Sequence, residues 1–260
     1  MSNLLGRIIT GVLGAALLVG GAWLGGWYFA GLVVLIAVIG QWEWYRLLRQ
    51  AGFLTWRFAG FSMGLLLVLH PLVPGGASMA MLPLAALLMW IPFSKSDMPL
   101  HRFCATVSGA FYPAALLSFF LHLRHMEEGL LMTLTVFLLV WVSDICAYVV
   151  GSLWGRHKLA PTISPNKTWE GYVAGLVGPI AAGLVLFHVV THSLGLAQVL
   201  VLAVICGVAS ASGDLAASRF KRAARLGDTG RLLPGHGGVL DRFDGMTVAA
   251  PLAYLFLLVV

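Results

Sequence analysis

The chain has 260 residues, 60% of them hydrophobic and only 10% charged, with a mean hydropathy of +0.92. Soluble domains carry about 25% charged residues, so this composition excludes a soluble globular protein and predicts an all-α, polytopic transmembrane helix bundle. The formal net charge of +6 does not argue for nucleic acid, because the basic residues lie in short loops between apolar segments with no aromatic-basic groove outside the membrane.

In chain order, the sequence runs from Arg7 almost without charge to Glu43, too long for one crossing of the hydrocarbon. The glycines at 20, 21, 25 and 26 mark a turn, giving spans near 8 to 24 and 26 to 41. A retained first helix fits better than a cleaved signal peptide, since no small-residue cleavage site is followed by a soluble domain. The stretch from Trp42 to Arg57 reads as an interfacial loop, with Arg46, Arg49 and Arg57 among Trp42, Trp44, Tyr45 and Trp56. Further spans are expected near 58 to 74, 76 to 93, 103 to 121, 129 to 150, 172 to 190, 196 to 212 and 246 to 260, about nine in all. Cys104, Cys146 and Cys206 sit in apolar runs without ligand spacing and read as small buried hydrophobes.

Charge tests this layout. With the N-terminus cytoplasmic, the loops 42 to 57, 94 to 102, 151 to 171 and 213 to 245 lie inside, and with Arg7 they hold every Lys and Arg except Arg124. That asymmetry is the positive-inside pattern of a multi-pass membrane protein, and a bacterial inner membrane is the location expected. The division expected is residues 1 to 128, helices without a motif, and residues 129 to 260, a catalytic region whose polar loops face the cytoplasm.

Chemistry is concentrated late in the chain. Residues 212 to 245 hold six of the sixteen Lys and Arg and four of the ten Asp and Glu. Asp214, Asp228, Asp241 and Asp244, with basic residues between them and a Gly-rich turn at Pro234 to Gly238, can bind a divalent cation and a polyphosphate together. Carboxylates supply hard oxygen ligands, while Lys, Arg and backbone N–H groups face phosphate. Asp241 and Asp244 share one face if the segment is helical. Plainer readings stand beside these: Arg242 could pair with either Asp, and Lys221, Arg222 and Arg225 could meet lipid headgroups. His236, between glycines, reads as part of a tight ligand-facing turn. Asp144 lies within the sixth apolar run, where a carboxylate costs several kcal/mol unless it is paired or lines a polar cavity. In the loop after it, Arg156, His157, Lys158 and Lys167 suit a phosphate cradle and ordinary positive-inside charge equally well; the P-loop pattern is absent.

Ser218, Lys221, Arg222, Asp228, the LPGHGG run from Leu233 to Gly238, Asp241, Arg242 and Asp244 resemble, in order, the signature of the CTP:phosphatidate cytidylyltransferases. A second block agrees: Asp144, Ala147, Tyr148, Gly151, Gly155, His157, Lys158, Leu159, Pro161, Ser164, Pro165, Lys167, Thr168, Glu170 and Gly171. The resemblance implies transfer of a cytidylyl group from CTP to phosphatidic acid, dependent on Mg2+, giving CDP-diacylglycerol and pyrophosphate. It implies Asp214 and Asp241 as metal ligands with Asp144, Asp228 and Asp244 nearby. Lys158, Lys167, Ser218, Lys221, Arg222, His236, Gly237, Gly238 and Arg242 would contact the substrates. Membrane lipid is an expected partner, and a homodimer is the assembly considered.

Three departures each remove a charge: Gly227 stands where a Lys is usual before the Asp, Asn166 replaces the first Lys of SPKKT, and Ala217 replaces a Glu. A weakened or inactive member serving as a membrane scaffold is therefore one alternative. A transporter of an anionic substrate is the other, although no internal repeat supports it.

Overall fold

A computed structural model of the chain describes residues 2–73, 76–94, 96–190, 194–230 and 237–260. These residues are overwhelmingly helical. The helices are α1 (Ser2–Leu24), α2 (Gly26–Gln50), α3 (Arg57–Leu69), α4 (Gly76–Trp90), α5 (Pro99–Ala110), α6 (Leu116–His125), α7 (Gly129–Trp154), α8 (Trp169–Val190), α9 (Leu196–Ala223) and α10 (Leu240–Val259). Two short strands, β1 (Lys158–Ala160) and β2 (Ser164–Thr168), form an antiparallel hairpin.

Among the described residues, six stretches are long and apolar enough to cross a membrane: Gly26–Gln50, Pro99–His125, Gly129–Trp154, Trp169–His188, Leu196–Ala223 and Leu240–Val259. Three more, Thr10–Leu24, Arg57–Leu72 and Met81–Phe93, are apolar but shorter. An all-α membrane architecture follows, because helices satisfy their backbone groups internally where no water can.

The chain divides into two compact units. One comprises Met1–His122 with Ala223–Arg242, and the other Leu123–Arg222 with Phe243–Val260.

In the first unit, α2 does not stop at the expected boundary near residue 41 but continues to Gln50. Most of the stretch expected as an interfacial loop is helix. What ends it is Gly52, at φ +91°: its N–H donates to Arg49 O at 3.1 Å and Phe53 N–H to Leu48 O at 2.8 Å. This is the Schellman arrangement, which favours glycine at the left-handed position. The extension buries Gln41, Glu43, Trp44, Tyr45 and Leu47. Trp44 and Tyr45 are thus core residues and not membrane-surface anchors. Tyr45 donates its hydroxyl to Thr106 O at 2.8 Å, and Trp44 Nε1–H donates to Ser108 Oγ at 3.0 Å. Gly60 and Gly109 make room for the Tyr45 ring, since a Cβ on either would collide with it. Met63, Leu67, Leu87 and Ala110 form an adjacent apolar cluster. Between α5 and α6 the chain takes a π-helical turn, Phe111–Ala115. Pro113 falls inside that turn; it has no N–H to offer, which favours a local widening of the helix.

In the second unit, α7 and α8 pack through small residues. A Cβ at Gly178 would lie 2.6 Å from Cys146 Sγ, and one at Gly175 3.1 Å from the Ala147 Cβ. Ser143 Oγ donates to Gly175 O at 2.8 Å. Such close backbones are the usual way helices associate where lipid gives no hydrophobic drive. Helix α9 approaches α10 in the same manner: a Cβ at Gly245 would sit 2.8 Å from Ser210 Oγ, and one at Gly213 would strike Asp244 O.

The expected loops 151 to 171 and 213 to 245 are shorter than the sequence suggests. Helix α7 runs to Trp154, α8 starts at Trp169, α9 continues to Ala223 and α10 begins at Leu240. The dividing signal was charge, but Lys221 and Arg222 occupy the last turn of α9, where cations oppose the helix dipole favourably. Of the cysteines, Cys206 is buried as expected, Cys146 is half-buried and Cys104 is exposed.

Candidate active site

The second unit brings the two polar blocks of sequence together. Asp144 projects from α7; Ser210, Asp214, Ser218, Lys221 and Arg222 lie on α9; Asp244 is on α10; Lys158 and Lys167 are on β1 and β2. The hairpin pairs Lys158 with Thr168 and Ala160 with Ser164. It is closed at its base by Trp169 N–H donating to His157 O at 2.9 Å and by His157 Nδ1 2.6 Å from Glu170 Oε1. Thr168 is buried against Gly151, Gly155 and Gly171, where larger residues would collide with it or with neighbouring backbone. So fixed, β2 holds the Lys167 ammonium 2.9 Å from Asp214 Oδ2, a close charge pair that is not aligned as a hydrogen bond. Arg222 Nε–H donates to Ile163 O at 3.2 Å and ties the end of α9 to the hairpin turn.

Three carboxylates gather here. Asp144 Oδ1 accepts the Ser210 hydroxyl at 2.5 Å. Asp244, buried, accepts the Gly245 N–H at 2.8 Å and lies within electrostatic reach of Asp214, Lys221 and Asp144. Asp214 is partly open, with 44% of its side chain exposed, and the Ser218 hydroxyl is 3.4 Å from its Oδ1. Like charges at such separations raise the energy of the site unless cations join them. Lys167 and Lys221 are the cations that the protein itself provides.

The first unit holds the other half of the signature. Asp241 Oδ2 accepts Thr229 N–H at 2.9 Å and Gly238 N–H at 3.0 Å, and the Thr229 hydroxyl, 3.0 Å away, shares its one proton between Asp241 and Glu43. Gly237 takes φ +79°, and a Cβ there would lie 3.0 Å from Asp241 Oδ2 and 3.4 Å from Asp228 Cγ. Asp228 and Arg242 are exposed. His236 and the rest of residues 231–236 lie outside the described residues.

Beneath this turn sits a residue to which the sequence reading gave no role. Glu43 of α2 is completely buried and accepts Val239 N–H at 3.0 Å, Leu240 N–H at 2.8 Å and the Thr229 hydroxyl at 3.1 Å. A Cβ on Gly230 or Gly238 would run into its carboxylate. Its carboxylate therefore caps the N-terminus of α10, satisfying N–H groups that no helical carbonyl reaches. One signal was available: Glu43 is an acid among apolar and aromatic residues, which requires a partner.

The model of the cytidylyltransferase family matches residues 5–260. A phosphatidate cytidylyltransferase of Brucella suis is 38% identical, covering 98% of this chain and 94% of that protein. One from Synechocystis is 31% identical over 96% of this chain and 95% of its own length. One from Staphylococcus saprophyticus is 45% identical over 51% of each. The chain belongs to the cytidylyltransferase family.

A nucleotidyltransferase of this family handles phosphates, and the donors present suit a hard divalent cation. The carboxylates of Asp144, Asp214 and Asp244 are oxygen ligands, and the Lys167 ammonium already occupies a cation position beside Asp214. Among the described residues no three His, Cys, Asp or Glu side chains enclose a metal by themselves.

Proposed function

We propose that this cytidylyltransferase-family member is a phosphatidate cytidylyltransferase, condensing CTP with phosphatidic acid to CDP-diacylglycerol and pyrophosphate. The observation that carries the reading is the meeting of Lys167 and Asp214, at 2.9 Å. It joins the basic hairpin to the acidic helix end in a chain whose relatives bear that enzyme's name. In the reaction, a phosphate oxygen of phosphatidic acid forms a bond to the α-phosphorus of CTP. The α–β phosphoanhydride bond breaks, and its electron pair leaves with pyrophosphate.

The chain's own groups have three tasks. Lys158, Lys167, Lys221 and Arg222 hold and neutralise the phosphates, with Ser218, Arg242 and the turn at Gly237 and Gly238 fixing their orientation. His236 belongs with them. Asp214 and Asp241 are the proposed Mg2+ ligands, with Asp144, Asp228 and Asp244 tuning the charge around them. Magnesium, when bound, screens the polyphosphate charge that would otherwise repel the incoming phosphate. Lys167 then exchanges Asp214 for a phosphate oxygen.

Nine apolar helices with a cytoplasmic N-terminus, in a bacterial inner membrane, put these loops on the side where CTP is found. Residues 129 to 260 carry the catalytic groups in this reading. Purified protein in detergent, given phosphatidic acid, labelled CTP and Mg2+, should form labelled CDP-diacylglycerol. Asp241→Asn should not. Absence of product from the parent protein, or equal product from the variant, would overturn the assignment.

A further inference from the structure

A cavity of about 630 Å³ opens in the first unit, walled by the end of α2, the start of α3, α4 and the start of α5. Three arginines line it: Arg49 from the last turn of α2, Arg57 from the first residue of α3, and Arg102 from α5. Among the described residues no Asp or Glu lines it. Arg102 stacks on Trp56, with Cζ 5.0 Å from the ring centre, and its buried Nε–H has no hydrogen-bond partner among the described residues. The rest of the lining is mostly apolar, and two of its members are open to the surroundings: Phe58 is 89% exposed and Trp90 56% exposed.

Three like charges around one hollow, one of them with an unsatisfied buried donor, form an arrangement that an anion would stabilise. Guanidiniums match phosphate oxygens in pairs, and tryptophans at a membrane surface prefer the headgroup level. The polar side chains in the lining besides the arginines are Thr55 and Ser62, with no Asn, Gln, Asp or Glu to read the edge of a nucleobase. The volume lies in the range of ordinary ligand pockets. We propose that this cavity binds the phosphate headgroup of an anionic phospholipid, with the acyl chains leaving past Phe58 and Trp90. The site stands or falls separately from the cytidylyl transfer. Its lipid has two sources, the phosphomonoester substrate or an anionic phospholipid of the surrounding bilayer.

The test is native mass spectrometry of the detergent-purified full chain, titrated separately with phosphatidic acid, phosphatidylglycerol and phosphatidylcholine. The anionic lipids should bind at least about tenfold more tightly than phosphatidylcholine, whose quaternary ammonium cancels the charge of its phosphate and is repelled by the arginines. Arg102→Gln should remove most of that preference and Arg102→Lys only part of it. Because Arg102→Gln also removes the stack on Trp56, Arg57→Gln serves as a second variant that leaves the stack intact. Tighter binding of phosphatidic acid than phosphatidylglycerol, with a raised KM for phosphatidic acid and an unchanged KM for CTP in the variants, assigns the site to the substrate lipid. Equal binding of both anionic lipids with unchanged KM assigns it to the bilayer. The proposal is overturned if phosphatidylcholine binds as well as the anionic lipids, if both glutamine variants keep the preference, or if CTP displaces the lipid.

Discussion

The carboxylate of Glu43 accepts the backbone N–H of Leu240 at 2.8 Å, across 197 residues of sequence. With Val239 N–H and the Thr229 hydroxyl it completes a set of donors that fixes the turn carrying Asp241. Glu43→Ala would leave the Val239 and Leu240 N–H groups without this acceptor, while the Thr229 hydroxyl would turn to Asp241. Each charge-assisted bond of this kind is worth about 1.5 to 3 kcal/mol. Glu43→Gln keeps the volume but turns an N–H2 group towards N–H donors. Both variants should lower the thermal midpoint in detergent by several degrees, alanine more than glutamine, and both should reduce kcat more than they raise KM for CTP. A midpoint within a degree of the parent protein would refute the capping role.

Lys167 and Asp214 make separate predictions. Lys167→Met removes one cation from the proposed phosphate contacts, so the KM for CTP should rise about tenfold, in line with the loss of one charge-assisted bond. The pair is partly open to solvent, so the thermal midpoint should hardly move. Asp214→Asn should instead abolish turnover while leaving the fold intact, as circular dichroism and the elution volume in detergent would report. Residual activity above about one hundredth of the parent value would argue against a role for Asp214 in holding the metal.

Gly213 and Gly245 allow α9 and α10 to touch backbone to backbone. Gly213→Val puts its branched side chain against Asp244 O and should prevent stable insertion or give aggregated protein on gel filtration. Gly245→Ala, whose added methyl meets the Ser210 hydroxyl, should be milder but still destabilising, by about 1 to 3 kcal/mol. Normal yield and midpoint for the valine variant would show that the helices can separate here without penalty.

Gly227 offers the opposite case. It is exposed, and a Cβ there would meet nothing within 4 Å. Gly227→Lys restores a cation beside Asp228 at no steric cost. We expect an unchanged thermal midpoint and a lower KM for CTP. A raised KM would mean that the glycine itself is required.

Much of this architecture was legible in the sequence because hydropathy and charge act locally. Apolar runs of the right length gave the helices, and the paired blocks around Asp144 and Asp214 are the ones that meet in the second unit. Helix ends were less legible. Charge was read as loop, yet α9 carries Lys221 and Arg222 in its last turn and α2 carries Arg49 in its own. The hairpin of β1 and β2 escaped notice because strands of three and five residues leave no periodicity to read. Glu43 escaped for another reason: its partners are 186 to 197 residues away, and no local pattern announces a contact of that range.

The hairpin lysine has a thermodynamic corollary. A pair this open to solvent adds little to the stability of the fold, so neither the ammonium group nor a metal beside Asp214 is what keeps the chain folded. Chelating agents should therefore silence this protein without unfolding it, and adding the ion back should restore turnover at once.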